Sequence, residues 1–468
     1  MNARRVDPLS RFKLPEHRAT DPIASLRTDF VRSGRILVVI DDDPTGTQTT
    51  ADATLITSWE SEDIAWMLDQ SAEINFVLTN TRAHPVNDAK AINRLVGQRL
   101  RQAATARSIE FELVSRSDST LRGHFPHEVH ALAEGAGSDP YGILVMPFFA
   151  EGGRYTIRGT HYVLDGGALV PVGETPFARD PTFGFQASDL RRWVEEKTKG
   201  RVRADDVALI DIDMIRTGGP PAVEARLRTL RPPAICVCDS VDDVDARIVA
   251  AGLRLASTAG HRWIVRSGAS LIPALVGREP ASVVTPAADS SRTGGLIVVG
   301  SHVPLSTRQL EALLSDPSVT GYEVRPGALI SSESRATEIA RVSDRATRAI
   351  DRGRTTVVYT SRKVAAHDDP LLAGDRIASG LCEIVHTITA STRPAYVVAK
   401  GGITSHRIAT DALHARRTRV IGPIAPGVPM WAMGPDTRLP GLRYVVFPGN
   451  VGDVQTLADV VRRLERAP

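Results

Sequence analysis

Short apolar runs alternate along this chain with longer segments in which apolar residues recur at helical spacing. In the first half, such runs occupy residues 36–40, 75–79, 110–115, 142–146 and 207–210. A short apolar run that ends at a turn is typical of a buried parallel strand, and its alternation with helical segments indicates βαβ units. The pattern therefore predicts an α/β fold built from mostly parallel sheets flanked by helices.

The alternation is interrupted at residues 285–295, which are small, polar and turn-forming, and it starts again at residue 296. A chain of 468 residues is too long for one ordinary core, so we expect two large domains. The polar, proline-containing N-terminal segment is typical of an extension. We predict an N-terminal arm at 1–33, a first domain at 34–284, a linker at 285–295 and a second domain at 296–468.

The amino-acid composition is that of a globular protein. Apolar residues make up 42% and charged residues 24% of the chain, as in a typical soluble globular protein. The formal charge of +3 comes from basic residues spread without aromatic interleaving, so no nucleic-acid partner is expected. The sequence shows neither a signal peptide nor an apolar run of the ~18 residues that a membrane span needs, which predicts a cytoplasmic protein without a membrane partner. Three cysteines are too few for a disulfide framework.

An acidic cluster marks the end of the first apolar run. Asp41, Asp42 and Asp43 directly follow residues 36–40 and precede a turn that contains Pro44. In open α/β sheets, ligands bind beyond the carboxyl ends of the strands. Adjacent carboxylates repel one another and are costly to desolvate, so we expect them to handle a proton, a metal or a sugar hydroxyl. A solvated acidic turn is the alternative, because Asp-Pro-x-Gly is also ordinary turn chemistry.

Two later strand ends carry complementary chemistry. Residues 115–124 combine hydroxyls, a carboxylate and two arginines, and a glycine-rich loop before Arg154 follows the run 142–146. Guanidinium groups match carboxylates, while Asp, Ser and Thr side chains match hydroxyls, so these ends suit a polyhydroxylated anion. His124, His127 and His130 drift around a helix at their three-residue spacing, and we expect no metal site there.

The second half contains glycine turns suited to phosphate. The run that ends at Lys400 continues through Gly401 and Gly402 into a helix-like segment, and backbone N–H groups and a helix N-terminus favour anions. This segment is not a Walker A loop, because the lysine precedes the glycines. Residues 300–307 and 448–453 form similar turns at other strand ends.

Together and in this order, these motifs resemble those of the four-carbon acid sugar kinase family over about residues 35–455. The first half matches an Asp-Asp-x-Thr-Gly signature at 42–46, a Lys/Arg-x-Asp-Ser-Thr-Leu-Arg-Gly segment at 116–123 and a Gly-Arg loop at 153–154. The second half matches a Gly-Ser turn around Ser301, a Gly-Gly-x-Thr turn at 401–404 and a Pro-Gly-Asn-x-Gly turn at 448–452.

The resemblance implies a kinase that uses ATP and Mg²⁺ to phosphorylate erythronate, threonate or a 3-oxo-tetronate. It implies that the first domain binds the sugar acid, the second binds ATP, and the active site lies in the interdomain cleft. Asp41, Pro44, Thr47, Arg116 and His124 depart from the usual family residues, so the acceptor could be another acid.

The expected site residues fall into three groups. Asp42 and Asp43 are the candidate bases that accept the proton of the substrate hydroxyl. The expected substrate-binding residues are Asp42, Arg82, Arg116, Asp118, Ser119, Thr120, Arg122, Gly123 and Arg154. The expected nucleotide-binding residues are Ser301, Ser306, Gly401, Gly402, Ile403, Thr404, Gly449 and Asn450. No residue is assigned as a metal ligand.

Two other functions remain open at this level. Asp41 and Asp43 also fit the nucleophile motif of haloacid-dehalogenase-type phosphatases, although the later acidic motif is incomplete because Leu457 follows Gly452-Asp453 where an aspartate is needed. A sensor that binds a sugar acid and a nucleotide without turnover is the non-enzymatic alternative. A homodimer could use the helical stretch 239–256, but an amphipathic helix more often packs on its own sheet.

Overall fold

The computed structural model describes residues 8–286, 293–362 and 370–465. The chain divides into two compact units: unit 1 comprises residues 1–49 and 59–280, and unit 2 comprises residues 50–58 and 281–468. The predicted domain boundaries stay predictions, and residues 287–292 of the predicted linker lie outside the described part. Residues 50–58 were expected in the first domain, but they group with unit 2.

Strands up to residue 280 include the predicted apolar runs and several short additions. They are β1 (Ile36–Asp41), β2 (Ala53–Ile56), β3 (Ile74–Leu78), β4 (Phe111–Arg116), β5 (Gly142–Met146), β6 (Arg154–Ile157), β7 (Thr160–Asp165), β8 (Ala168–Pro171), β9 (Ala208–Ile210), β10 (Ala234–Cys238) and β11 (Trp263–Ser267). All of these except β2 belong to unit 1.

The main sheet of unit 1 has the order β3-β1-β4-β11-β5-β10-β9, and its described pairings are parallel. Its strands are buried apolar runs, as expected for a parallel sheet covered on both faces. Asp41 is paired in register with Leu78 on one side and Arg116 on the other. The carboxyl ends of β1, β3 and β4 therefore lie side by side, and the chain enters three polar turns there.

Helices cover this sheet. They are α1 (Ile23–Ser33), α2 (Ser61–Leu68), α3 (Val86–Arg107), α4 (His127–Gly135), α5 (Leu190–Lys197), α6 (Ile212–Arg228), α7 (Asp243–Thr258) and α8 (Leu271–Leu275). Helix α1 lies within the predicted arm and buries Leu26 and Phe30, so this part of the arm is packed structure. Helix α7 contains most of the stretch considered for a dimer face, and it packs against α6 and α8.

Unit 2 is a second α/β unit. Its later strands are β12 (Leu296–Val299), β13 (Val319–Val324), β14 (Thr355–Thr360), β15 (Tyr396–Lys400), β16 (Arg417–Ala425), β17 (Val428–Met433) and β18 (Arg443–Phe447). Its helices are α9 (Pro304–Leu314), α10 (Pro326–Ile330), α11 (Arg335–Asp351), α12 (Pro370–Ser391), α13 (Gly402–Arg407) and α14 (Thr456–Glu465).

Within unit 2, β13, β14, β12, β15 and β18 are parallel neighbours in that order, and β17, β16 and β2 continue the sheet antiparallel. Lys400 is in register with Val299 on one side and Phe447 on the other. The turns that follow these three residues therefore share one edge of the sheet. The α/β prediction with mostly parallel sheets is confirmed. Among the described residues, no helix has both the length and the apolar character that crossing a bilayer requires.

Candidate functional site

The first aspartate of the acidic cluster is sealed inside unit 1. The Asp41 side chain is 1% exposed, and its Oδ1 accepts hydrogen bonds from Arg116 Nη1 at 3.2 Å and from the Asp43 backbone N–H at 3.3 Å. Burial raises the pKa of Asp41 to about 7, against the lowering effect of the Arg116 charge. A nucleophile must reach its substrate, so this carboxylate does not fit the phosphatase alternative.

Arg82 contacts the carboxylates of Asp42, Asp43 and Asp118. Its Nη2 lies 2.8 Å from Asp42 Oδ1 and 3.4 Å from Asp43 Oδ2, and its Nη1 lies 3.7 Å from Asp118 Oδ1. These contacts place an arginine from the Thr81–Ala83 turn, which follows β3, among carboxylates that follow β1 and β4. One guanidinium thus holds together the predicted catalytic and substrate-binding groups.

The two candidate bases differ in their environment. Burial raises the pKa of Asp42, and the Arg82 charge only partly offsets this effect. Burial acts in the same direction on Asp43, but the charges of Arg82 and Arg116 and hydrogen bonds from Thr45 outweigh it and lower the pKa of Asp43. Asp43 is also tied to the turn, since its Oδ1 accepts from Thr45 N at 2.9 Å and from Thr45 Oγ1 at 2.5 Å. Asp42 is therefore the more basic carboxylate of the two.

Asp118 anchors the turn after β4. Its Oδ2 accepts from Arg122 Nε at 2.6 Å and from the Thr120 hydroxyl. Burial alone would raise the pKa of Asp118, but the charges of Arg122 and Arg82 lower it well below its usual range. This carboxylate stays ionised and holds Arg122 in place. Gly123 approaches the same cluster, because a Cβ at this position would lie 3.3 Å from Asp42 Oδ2.

Arg154 forms no side-chain ion pair or hydrogen bond with the residues that the structure describes. Its buried Nε–H donates to no acceptor among them. The Phe177 ring centroid lies 5.8 Å from Arg154 Cζ and 5.2 Å from Arg122 Cζ, so one aromatic ring packs against both guanidiniums. Burial lowers the pKa of Arg154. Asp118 offsets this effect only in part, so an anion bound beside this partly buried guanidinium would stabilise its charge.

Sequence reasoning missed the residues beneath these turns. Glu128 Oε1 accepts from Ser117 Oγ at 2.9 Å and from Arg266 Nε at 3.4 Å. Burial lowers the pKa of His161 to about 4, so its ring is neutral near pH 7. The His161 Nε2–H donates to the Ser119 carbonyl at 2.7 Å. Arg266 stands near the end of an apolar run, which is a weak signal in the sequence. Its partner Glu128 lies 138 residues away, so no local pattern indicates the pair.

The predicted substrate residues are thus brought together at one edge of the unit 1 sheet. They lie at or just after the carboxyl ends of β1, β3 and β4, with Arg154 at the start of β6. Ser119 and Thr120 are buried within the turn that Asp118 anchors.

In unit 2, three turns meet at the shared edge of β12, β15 and β18. The Ser306 hydroxyl lies 3.1 Å from Ser301 Oγ and donates to the Gly449 carbonyl at 3.0 Å. Gly401 adopts φ +113°, a conformation that favours glycine, and its N–H donates to Phe447 O at 2.8 Å. A Cβ at Gly449 would lie 3.1 Å from Ser301 Oγ. Small residues thus let these turns approach one another closely, with hydroxyl and backbone groups at the contact.

The other predicted nucleotide residues lie on the same turns. Gly402 begins α13, Ile403 is 69% exposed, Thr404 packs under Gly300, and Asn450 is exposed. Sequence reasoning missed Arg362, whose Nη1 donates to the Ser301 carbonyl at 2.5 Å and so fixes the turn after β12.

Clustered potential metal ligands occur in the described residues at one place, His17 with Asp242 and Asp245. Arg216 already neutralises this cluster, with Nη2 at 2.6 Å from Asp242 Oδ2 and Nε at 2.9 Å from Asp245 Oδ1. It lies outside the turns described above, and it does not fit a catalytic metal.

Comparison with known proteins adds independent findings. One family model, described as a sugar-binding N-terminal domain, matches residues 37–275, and another, described as a nucleotide-binding C-terminal domain, matches residues 296–457. The chain is 25% identical to a D-threonate kinase of Bordetella bronchiseptica over 91% of this chain and 96% of that protein. It is 28% identical to a 3-oxo-isoapionate kinase of Paraburkholderia graminis, over 64% of this chain and 66% of that protein.

A solved structure shows a similar fold. A Haemophilus influenzae protein of 18% identity superimposes with a TM-score of 0.63, over 92% of this chain and 99% of that one. At this identity the likeness concerns the fold alone.

Proposed function

The chain belongs to the four-carbon acid sugar kinase family, and from this membership we propose that it transfers the γ-phosphate of ATP to a hydroxyl of a four-carbon sugar acid. Relatives named as kinases of such acids include a D-erythronate kinase of Heliobacterium modesticaldum that is 28% identical over 49% of this chain and 48% of that protein. In this proposal, unit 1 binds the acid and unit 2 binds the nucleotide.

The acid-binding role of unit 1 rests on Arg154, which forms no ion pair with the described residues. Arg154 and Arg122 share the Phe177 ring, and Arg122 is already paired with Asp118. A substrate carboxylate would supply the anion that Arg154 lacks, and guanidinium groups bind carboxylates through paired hydrogen bonds. The neighbouring Asp118, Ser119 and Thr120 offer groups that suit the hydroxyls of such a substrate.

Asp42 is the proposed base. It accepts the proton of the acceptor hydroxyl as the hydroxyl oxygen forms a bond to the γ-phosphorus. The bond from this phosphorus to the β–γ bridging oxygen breaks, and ADP leaves. Its raised pKa favours proton uptake over the more acidic Asp43, and Arg82 holds its Oδ1 at 2.8 Å. Arg82 retains Asp43 and Asp118 as partners when Asp42 takes up the proton, so the cluster keeps its arrangement.

The turns of unit 2 fit a nucleotide polyphosphate. Ser301 and the N–H groups near Gly402 and Gly449 offer donors, and the absence of side chains on the glycines leaves room for phosphate. The buried Ser306 hydroxyl holds the Gly449 turn in place. When bound, ATP supplies the phosphoryl group and Mg²⁺ offsets part of its negative charge. The described turns contain no cluster of carboxylates, so they fit a magnesium ion carried mainly by phosphates and water.

Acid-dependent release of ADP tests this function. The protein is incubated with ATP, Mg²⁺ and, one at a time, D-threonate, L-threonate, D-erythronate, L-erythronate and 3-oxo-tetronates. ADP release that requires one of these acids supports the proposal and identifies the acceptor. Release of phosphate from ATP at the same rate with and without every acid would count against it.

A further inference from the structure

Lys400 is a buried lysine that has no role in the proposed phosphoryl transfer. It is the last residue of β15 and is 0% exposed. Its Nζ donates to the Pro448 carbonyl at 2.6 Å and lies 3.9 Å from the centroid of the Phe447 ring. Within the part of the chain that the structure describes, its ammonium forms no ion pair.

Its position is at the centre of the three turns. Lys400 is in register with Val299 and Phe447, and it directly precedes Gly401. Its hydrogen-bond acceptor, Pro448, directly precedes Gly449, whose carbonyl accepts from the Ser306 hydroxyl. The ammonium therefore holds the start of the turn that carries Gly449.

A lysine at such a position is costly unless it has a further purpose. A buried ammonium loses its hydration, and burial lowers the pKa of Lys400 to about 7. An ammonium has three N–H donors, of which the Pro448 carbonyl uses one. A hydrophobic residue of similar length would avoid this cost. An anion bound on the turns above would offset it, because charges interact strongly in a poorly hydrated site.

We infer that Lys400 is a positioning residue whose ammonium lies beneath the polyphosphate of a bound nucleotide and holds the Pro448–Gly449 turn against it. The inference rests on the proposed function, in which unit 2 binds the nucleotide. It predicts that Lys400 strengthens binding in proportion to the charge of the phosphate chain. A purely structural lysine would affect all nucleotides and nucleosides alike.

Calorimetric titration of adenosine, AMP, ADP and ATP into the full chain and its variants separates these roles. In Lys400→Met, ADP and ATP should bind about tenfold more weakly, as expected for loss of one charge interaction of about 1.4 kcal/mol, while adenosine affinity changes less than about twofold. Lys400→Arg should recover part of the loss because it keeps the charge.

Lys197 provides a matched control. Its Nζ donates to the Phe183 and Gly184 carbonyls at 2.8 and 2.9 Å and lies 5.5 Å from the Phe185 ring centroid, so it resembles Lys400 chemically but lies in unit 1. Lys197→Met should leave all four affinities unchanged. Equal losses for adenosine and ADP in Lys400→Met, or no loss for either, would overturn the inference. Failure of the unaltered protein to bind any of the four would instead overturn the nucleotide role of unit 2.

Proton uptake gives a second readout that needs no folded variant. At pH 8 the phosphates are already ionised, and the pKa of about 7 leaves Lys400 mostly neutral before binding. An anion above it raises this pKa, so ADP binding should draw protons from solution. Titrations in buffers of different ionisation enthalpy measure this uptake. Binding of ADP at pH 8 without uptake of protons would contradict the inference.

Discussion

Gly46 packs directly against the carboxylate of Asp41, so closely that a Cβ on Gly46 would lie 1.7 Å from Asp41 Oδ2. The acidic turn therefore needs a glycine at this position for reasons of space. The carboxylate sits at the centre of the cluster that links β1 to Arg116, and it is fully enclosed. A side chain on Gly46 would have to displace this enclosed group.

Gly46→Ala should abolish most sugar-acid kinase activity and lower the melting temperature. The added methyl group overlaps the buried carboxylate, and overpacking of a tight interior typically costs about 1–3 kcal/mol. Thermal denaturation and acid-dependent ADP release measure the two effects. Gly327→Ala is the control, because a Cβ there would meet no atom within 4 Å. Equal melting temperatures for both variants would show that the turn has room to adjust.

Asp42→Asn and Asp43→Asn should separate the two candidate bases. Loss of a general base lowers turnover by about 10²–10⁴-fold, so Asp42→Asn should do this with little change in the KM for ATP. In Asp43→Asn, turnover should fall by less than about tenfold, because Asp43 mainly organises the turn through Thr45. Single-turnover kinetics measure both. The reverse order of effects would transfer the base role to Asp43.

Arg154→Gln should weaken acid binding without weakening the fold. Loss of a charge-assisted contact of about 1.5–3 kcal/mol corresponds to a rise of about ten- to a hundredfold in the KM for the acid, while the KM for ATP stays unchanged. The melting temperature should stay the same or rise, because the variant removes a partly buried cation that forms no ion pair with the described residues. Steady-state kinetics and thermal denaturation measure both quantities.

Arg179→Gln is the control for this variant. Arg179 lies two residues from Phe177 and makes one long contact of 3.4 Å to the Glu174 carbonyl. It should leave the KM for the acid unchanged. An Arg154→Gln enzyme with normal acid KM would remove the proposed contact between this guanidinium and the substrate.

The buried Asp41 predicts a specific dependence of stability on pH. Its pKa rises from 3.8 to about 7 on folding, chiefly through burial, with Arg116, Asp42 and Asp43 as its charged neighbours. Between these values the folded chain holds a proton that the unfolded chain releases. The contribution of Asp41 to the free energy of unfolding therefore falls as pH rises from 3.8 to about 7, and it is level above pH 7.

Asp41→Asn cannot ionise, so it should flatten this part of the profile. Urea denaturation at several pH values measures the free energy of unfolding for both proteins. Asp344→Asn is the control, since Asp344 is exposed and should not alter the shape of the profile. Parallel profiles for the unaltered protein and Asp41→Asn would mean that Asp41 is not the group responsible.

The residues at the strand ends could be predicted from the sequence, because the carboxyl ends of parallel strands lie at the same edge of a sheet. Apolar runs predicted β1, β4 and β15, and the residues after them were expected at the same sheet edges. In the structure, Asp42 and Asp118 both contact Arg82, which agrees with that expectation. Their roles in binding and catalysis stay predictions.

Contacts between segments far apart in the sequence could not be predicted in this way. Strand β2 joins unit 2 through antiparallel pairing with β16, and the two segments lie more than 350 residues apart. The Glu128–Arg266 pair and the contact of Phe177 with two guanidiniums also depend on side chains from distant segments. No local pattern signals such contacts, because the residues involved are ordinary in their own segments.

Direct transfer of phosphate to the acid tests the central claim. The measurement is mass spectrometry of the acid after one turnover with ATP that carries ¹⁸O in its γ-phosphate, together with quantification of ADP. The account predicts one labelled phosphate on the acid for each ADP formed, with the yield lost in Asp42→Asn. Labelled inorganic phosphate with an unmodified acid, across all the four-carbon acids tested, would contradict it.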